Sequence, residues 1–522
     1  MKTINKIILR NFKRFTTFEI DFDSQLNILV GDNESGKSSI LQAIDIVLSG
    51  NRNKVENIGL EHLFNYQAVN DFMQSDKRYE NLPILTIELY LNEQNNQDVF
   101  GRNNTKTADY NGLKFVCEPN DDFSSHIRDI LQQPSANFPF EYYSINFKTF
   151  ADVSYSGYKK YLKHIVVDNS QMSSEYAMKE YVQDIYNATV QRIEKLTNQH
   201  KYREHKENFK NQVLNDLNNK MSGYCFALKT SPKSNLETDL TILEDNINIE
   251  NKGKGKQCFI KTELALQRSQ SDLDIILIEE PENHLSHINM KKLIHKISQV
   301  NNKQIFIATH NDMISARLDL RKTVLLNSNS TAPLQLNSIS DDTAKFFMKA
   351  PNNNILQFIL SKKVILVEGD AEYILMETMY QKVTCKELKQ SDIHIIAVGG
   401  TSFKRYLELA KKLSIKTAVI TDNDGNIDKN ITQKYAEFPH SENPNIKIFS
   451  DRDESRSTFE ICLYSDNQTV CNTLFTSNRR TLSVQDYMLA NKADCAFAIL
   501  DNNETNLTAP QYIIEAIQWI KE

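Results

Sequence analysis

Residues Gly31-Asp32-Asn33-Glu34-Ser35-Gly36-Lys37-Ser38 constrain this chain more than any other stretch. They match the pattern GxxxxGK[ST] and stand between an apolar run, Leu26 to Val30, and a helical pattern, Ser38 to Leu48. A glycine turn that leads from a buried strand into a helix presents backbone N–H groups and the positive end of the helix to an anion. The spacing predicts a nucleotide phosphate cradle, with ATP as the cofactor. Gly31, Asn33, Gly36, Lys37, Ser38 and Ser39 are its candidate contacts, Lys37 reaching the β and γ phosphates and Ser38 holding Mg2+. The alternative is a chance match in a glycine loop, which the strand-loop-helix setting disfavours.

A phosphate cradle needs acids at a neighbouring strand end, and Asp274-Ile275-Ile276-Leu277-Ile278-Glu279-Glu280-Pro281-Glu282 supplies them. The apolar strand carries its terminal acids to the crevice where nucleotide binds in open α/β sheets. Glu279 is expected to support the Mg2+ shell, and Glu280 to orient or deprotonate the attacking water. Alone, adjacent acids at a strand end read equally well as a solvated turn. Paired with the glycine loop they read as the second half of an ATPase site. The strand Ile305 to Ala308 then delivers Thr309 and His310, a histidine suited to sensing the γ phosphate.

At 522 residues the chain is long enough for about three domains. Strands are expected at Ile4 to Leu9, Thr17 to Phe22, 84 to 91 and 139 to 150. From about 172 to 220 a charged stretch without Pro or Gly places Val182, Ile185, Tyr186, Val190, Ile193 and Leu196 at helical spacing, which predicts a helical hairpin. An Asn/Ser-rich stretch near 327 to 354 reads as a boundary, followed by short apolar strands at Val364 to Val367, His394 to Val398 and Thr417 to Thr421. No apolar run approaches the length of a membrane span, and the start carries no signal-peptide pattern, so the expectation is a cytoplasmic protein with no membrane contact. The seven scattered cysteines lack CxxC spacing and are expected to be reduced, buried thiols. A net charge of -6 gives no global attraction to nucleic acid, so any such contact must be local or carried by cations.

Val364-Ile365-Leu366-Val367-Glu368-Gly369-Asp370-Ala371-Glu372 ends a second buried strand in a glutamate, with another glutamate four residues on at the start of a helix. Further along, Ala418-Val419-Ile420-Thr421-Asp422-Asn423-Asp424 ends another apolar strand in a DxD. Carboxylates gathered at strand ends repel one another unless cations neutralise them, and hard oxygen ligands suit Mg2+ or Mn2+. Glu368, Asp422 and Asp424 are therefore candidate catalytic metal ligands, and Glu372 a candidate ligand of a second ion. Each motif alone could be a solvated strand end; the two in this order favour a metal site.

The opening Ile7-Ile8-Leu9-Arg10-Asn11-Phe12-Lys13-Arg14-Phe15, the glycine loop, the Glu-Glu-Pro-Glu block and His310 together resemble the ABC ATPase class of SMC, RecF and OLD proteins over most of residues 1 to 345. In that class a partner subunit's signature loop closes over the γ phosphate. The nearest candidate is Gly253-Lys254-Gly255-Lys256-Gln257, which lacks the usual Ser-Gly-Gly and reads equally as a flexible basic loop. The acidic pair resembles the TOPRIM fold of topoisomerases, primases and OLD nucleases over roughly residues 361 to 500. That resemblance implies a later metal-ligating glutamate and a catalytic lysine, matched by Glu460 and Lys492.

The expected fold is α/β: an ABC-type ATPase (1–170 and 221–350) interrupted by a helical dimerisation insertion (171–220) and followed by a TOPRIM domain (351–522). The resemblance implies an ATP-binding endonuclease that cuts DNA, with RNA the alternative target, using Mg2+ or Mn2+ and working as a homodimer or dimer of dimers. It also implies bacterial defence against phage, alone or beside a helicase or a reverse transcriptase with its retron RNA. One rival reading is a topoisomerase or primase, for which zinc-ribbon cysteines and a DNA-gate domain are missing from the sequence. The other is a RecF-like clamp or loader without nuclease activity, which would have no need of the clustered carboxylates.

Overall fold

A computed structural model describes residues 1–133, 136–169, 175–229, 235–267, 273–326, 333–350, 354–400, 402–476, 482–503 and 507–522. The chain divides into two compact units, one of Met1–Leu318 with Lys322–Gln335, the other of Asp319–Arg321 with Leu336–Glu522.

Among its described residues the first unit has the strands β1 (Ile4–Phe12), β2 (Phe15–Asp21), β3 (Leu26–Gly31), β4 (Leu85–Leu91), β5 (Phe100–Gly101), β6 (Tyr110–Pro119), β7 (Tyr143–Thr149), β8 (His164–Asp168), β9 (Leu243–Glu244), β10 (Ile247–Asn248), β11 (Ile275–Glu279), β12 (Gln304–Thr309), β13 (Thr323–Leu326) and β14 (Leu334–Gln335). An antiparallel sheet runs β2-β1-β4-β6-β5, with β7 also on β6. Its alternation is visible in β1: Ile7 and Leu9 enter the main core, while Ile8 meets Tyr90 and Phe150 on the opposite face. A second sheet runs β14-β13-β3-β12-β11-β8 and is parallel apart from β14. Its central strands are covered on both faces, which is why β3, β11 and β12 read as continuous apolar runs rather than alternating ones. Gln304 stitches the two sheets together. Its side chain accepts from the Ile4 N–H at 2.8 Å and donates to the Ile4 and Asp23 carbonyls, both at 2.8 Å.

The helix Lys37–Ser49 runs from the glycine loop and buries Ile40, Leu41, Ala43, Ile44, Ile46 and Val47 in the core. Its one buried acid, Asp45, meets His164 Nε2 at 2.9 Å and Lys54 Nζ at 2.5 Å. Burial opposes the charge of Asp45, but these partners hold its carboxyl down at about 2.

The helical hairpin forms as Glu175–Thr189 and Arg192–Gln212; positions 172–174 lie outside the described residues. No residue of Arg192–Gln212 is buried, and Ile193 (80 %), Leu196 (60 %) and, just beyond it, Val213 (58 %) are exposed. Residues 254–257, expected in a loop, instead form the first turn of the helix Lys254–Gln267, because Gly255 lets the backbone pack against the His284 carbonyl, which a Cβ would approach to 2.1 Å.

The second unit carries β15 (Lys363–Val367), β16 (Ile393–Ala397), β17 (Lys416–Ile420) and β18 (Ile446–Phe449) in the order β16-β15-β17-β18, all parallel. The helix Asp341–Lys349 belongs to this unit, so the division falls before it rather than at 350. Glu408 fixes its start by accepting from Ser340 Oγ at 2.8 Å and the Ser340 N–H at 2.6 Å. The cysteines correct one expectation: Cys225 and Cys385 are exposed, and the other five are buried. Among the described residues no helix is long and apolar enough to cross a membrane.

Candidate active sites

Parallel pairing brings the first site together. In the register of the sheet, Val30 faces Thr309, Ala308 faces Glu279, and Glu279 faces Asp168, so the ends of β3, β12, β11 and β8 share one edge. A cleft of about 410 Å3 opens there, lined by Lys13, Arg14, Asn33, Glu34, Gly36, Lys37, Ser38, Ser39, Glu280 and His310. Gly31 and Gly36 are required by space. A Cβ on Gly31 would meet the Leu326 carbonyl at 2.2 Å, and Gly36 combines φ +99 with close approach to the Phe15 ring.

Lys37 folds back over its own loop, its Nζ donating to the Gly31 carbonyl at 2.8 Å and the Asp32 carbonyl at 2.9 Å. Burial pushes it down to about 8, against the pull of Asp32, Glu280, Glu279 and Glu282. A phosphate group has the charge to draw it off those carbonyls. Glu279 accepts a hydrogen bond from Ser38, and burial raises its carboxyl, helped by Asp168 and Glu280. Ser38, Glu279 and Asp168 thus bring hard oxygen donors to one place, a donor set that fits Mg2+. Glu280 is in the left-handed region at φ 46, its N–H donating to the Ala308 carbonyl at 2.9 Å and its Oε2 accepting from Asn283 at 2.5 Å.

Sequence reasoning missed Lys13 and Arg14, half-buried in the β1–β2 turn, and Asp168, for which β8 gave no motif. It also missed Glu282. The Oε1 of Glu282 accepts from Thr309 Oγ1 at 2.7 Å and from the His310 N–H at 2.8 Å, so the turn after β11 holds the backbone that carries His310. The sequence does show the signal, an acid two residues after Glu280.

The second site lies at the ends of β15 and β17. Glu368 follows β15 directly, Glu372 is in the first turn of the helix Asp370–Thr384, and Asp422 stands two residues past β17. Glu460 starts the helix Phe459–Asp466, capped by Thr458, and Lys492 starts the helix Lys492–Asn503. Asp422 Oδ1 accepts from the Phe459 N–H at 2.8 Å. Lys492 Nζ lies 3.3 Å from Glu460 Oε2, a buried oxygen with no hydrogen bond.

Burial pushes Asp422 up to about 8, with Glu372, Glu368 and Glu460 adding to the shift and Lys492 opposing it. Glu372 rises to about 7 by burial and by the charges of Glu460 and Glu368. Lys492 is held above its ordinary value: burial works against its charge, but Glu460, Asp422 and Glu372 outweigh it. The charges of Glu368, Glu460 and Lys492 thus act on Glu372 and Asp422, which brings these five side chains to one place. Asp424 is different: it is exposed at φ 46, its N–H donating to the Ser457 carbonyl at 3.0 Å. Among the described residues no three His, Cys, Asp or Glu side chains converge tightly enough to hold an ion. The buried Glu460 oxygen, faced by Lys492, and the all-carboxylate donors fit a hard divalent cation.

A family model for the AAA ATPase domain matches residues 1–212, and one for the overcoming lysogenization defect protein-like TOPRIM domain matches residues 359–424. Endonuclease GajA of Bacillus cereus (strain VD045) is 23% identical over 454 residues, which is 80% of this chain and 75% of that protein. Old nuclease of Escherichia phage P2 is 25% identical over 168 residues, 30% of this chain and 28% of that protein. The C-terminal region of the Xanthomonas campestris pv. campestris OLD protein is 21% identical, covers 32% of this chain and 94% of its own, and superposes with a TM-score of 0.24. The chain therefore joins an AAA ATPase domain to an OLD-like TOPRIM domain and is homologous to the GajA and Old nucleases.

Proposed function

We propose that this chain is an ATP-binding and ATP-hydrolysing endonuclease whose cleavage centre is the carboxylate cluster of its second unit. The observation that carries this is the gathering of Glu368, Glu372, Asp422 and Glu460 beside Lys492 at the ends of β15 and β17, close enough that Glu368 and Glu460 raise both Glu372 and Asp422. Four acids crowded this way are costly to keep unless cations join them. Glu368, Asp422 and Asp424 would hold one Mg2+ or Mn2+, and Glu372 and Glu460 a second. When bound, such ions polarise a scissile phosphate and lower the proton affinity of water. Lys492 keeps its charge and is suited to stabilise the extra negative charge of the phosphate in the transition state.

In the first unit Gly31, Asn33, Gly36, Lys37, Ser38 and Ser39 would bind ATP, Glu279 would support its Mg2+, Glu280 would direct water, and His310 would read the γ phosphate. The relatives' names, an endonuclease and a nuclease, support cleavage of nucleic acid; DNA is the proposed target, with RNA tested beside it. The exposed Ile193, Leu196 and Val213, on the helix Arg192–Gln212 and at its end, support a homodimer or dimer of dimers, which we place in the cytoplasm. A monomer by light scattering at micromolar concentration, with and without ATP, would remove that part. Anti-phage defence, alone or with a helicase or a reverse transcriptase and its retron RNA, is tested by plating phage on cells expressing the chain alone and with its gene neighbours.

The central test incubates pure protein with plasmid and Mg2+ or Mn2+, with and without ATP. Wild type should nick or linearise the plasmid, and Glu368→Ala should not, while retaining ATP hydrolysis. Equal cutting by both proteins would defeat the nuclease reading.

A further inference from the structure

Thr421 lies between the end of β17 and Asp422, fully inside the unit, and its Oγ1 stands 3.5 Å from Glu368 Oε2 across the β15–β17 pairing. After Asp422 the chain turns at Asp424 and Gly425, both at positive φ, and is tied back where Asn430 Nδ2 donates to the Asn423 carbonyl at 3.0 Å. The next turn delivers Tyr435, whose N–H donates to the Ile431 carbonyl at 3.1 Å and whose ring is buried, 4 % exposed. The Tyr435 hydroxyl is a buried oxygen beside the Thr421 hydroxyl and near the Glu368 carboxylate, and no group meets it in good hydrogen-bonding geometry.

A tyrosine that only filled space would gain little from that hydroxyl, since a buried donor held in poor geometry lowers stability and phenylalanine would fill the same slot without the cost. Its place beside a weakly held strand-end carboxylate gives it a use. Ligating carboxylates are commonly fixed by hydrogen bonds from a surrounding shell, and loss of such a partner weakens metal binding.

We propose that Tyr435 is a positioning residue of the cleavage centre: its hydroxyl, acting with Thr421, supplies the hydrogen bond that orients Glu368 toward a bound divalent cation. This rests on the proposed metal role of Glu368. Tyr435 does not touch substrate in this scheme and donates no proton to the reaction.

The test uses the full chain as wild type, Glu368→Ala, Tyr435→Phe, Thr421→Val and the Tyr435→Phe/Thr421→Val double variant. Mn2+ affinity is measured by calorimetry, and thermal unfolding is followed in EDTA. Tyr435→Phe should weaken Mn2+ binding by about 10- to 100-fold. Its unfolding midpoint without metal should equal or exceed wild type, the reverse of what removal of a structural hydrogen bond does. Thr421→Val should weaken Mn2+ binding in the same direction, and the double variant should lose less than the product of the two single losses, because the two hydroxyls serve one carboxylate. Wild-type affinity in Tyr435→Phe overturns the inference, as does a loss of affinity accompanied by a lowered midpoint or strictly multiplicative losses. If Glu368→Ala binds Mn2+ as tightly as wild type, the metal reading of the cluster fails instead.

Discussion

Replacing Asp422 by Asn should make the metal-free protein more stable. In the unfolded chain this carboxyl titrates at its ordinary value of 3.8, whereas burial and the nearby Glu372, Glu368 and Glu460 keep it protonated up to about 8 in the fold. Between those values the folded state retains a proton that the unfolded state has shed, so stability falls as pH rises through that window. At pH 7 the deficit, at about 1.4 kcal/mol per pH unit, is on the order of 4 kcal/mol as an upper bound. Part of it is shared with Glu372, which leaves about 2 kcal/mol to be recovered when the charge is removed. Asn keeps a carbonyl oxygen for the Phe459 N–H and nearly the same volume.

For a unit of this size a gain of about 2 kcal/mol raises the unfolding midpoint by about 4 to 8 °C. Scanning calorimetry in EDTA at pH 5 and pH 8 measures it. The gap between Asp422→Asn and wild type should widen toward pH 8 and shrink at pH 5. With Mn2+ at about 100 times its Kd, wild type gains about 2.7 kcal/mol and the variant gains little, so the order of the midpoints reverses. A midpoint for Asp422→Asn below wild type in EDTA at pH 8 would refute the electrostatic account of the cluster.

Lys37→Ala should abolish nucleotide binding, whereas Glu280→Gln should bind ATP normally and hydrolyse it at least about 100-fold more slowly; equal losses of affinity by filter binding would show that Glu280 has another role. Glu282→Ala should release the Thr309–His310 backbone and lower the ATPase kcat about tenfold with KM nearly unchanged, and Glu282→Gln should recover most of that rate because it keeps one accepting oxygen; a rise in KM alone in steady-state assays would remove Glu282 from that task. Lys492→Ala should slow plasmid cleavage by about 100-fold while Mn2+ binding by calorimetry persists, and loss of both together would make the lysine a structural partner of Glu460.

The elements that carry chemistry were legible because each couples a short motif to an unambiguous strand. The apolar runs before Gly31, Glu279, His310, Glu368 and Asp422 are all strands, each within a residue or two of the expected limits. β8 escaped detection because its five residues, His164 to Asp168, are bounded by charged and polar neighbours and carry no motif. It becomes a strand through pairing with β11, more than 100 positions away. The same limit hid Asp168, Tyr435 and the hydrogen bond from the His310 N–H to Glu282, which are properties of contact between separate segments. The conformation of residues 254–257 was hidden for a local reason: glycines suggested a turn, but Gly255 serves a close approach to the His284 carbonyl in the turn after β11, and the helix begins at Lys254.

The place of β3 in its sheet also dictates a timetable. Its hydrogen-bonding neighbours are β12 and β13, residues 304 to 326, so during translation the strand that ends in the glycine loop waits with both edges bare while almost 300 further residues are made. At about 5 to 20 residues per second that is roughly 15 to 60 s. The antiparallel sheet has most of its partners by residue 149 and can assemble early, but the nucleotide cradle is completed only when the last strands of the unit leave the ribosome. A nascent chain therefore cannot bind ATP until the whole first unit is synthesised, and ribosome-stalled fragments ending before β12 should carry an intact Gly31–Ser38 motif that does not retain nucleotide.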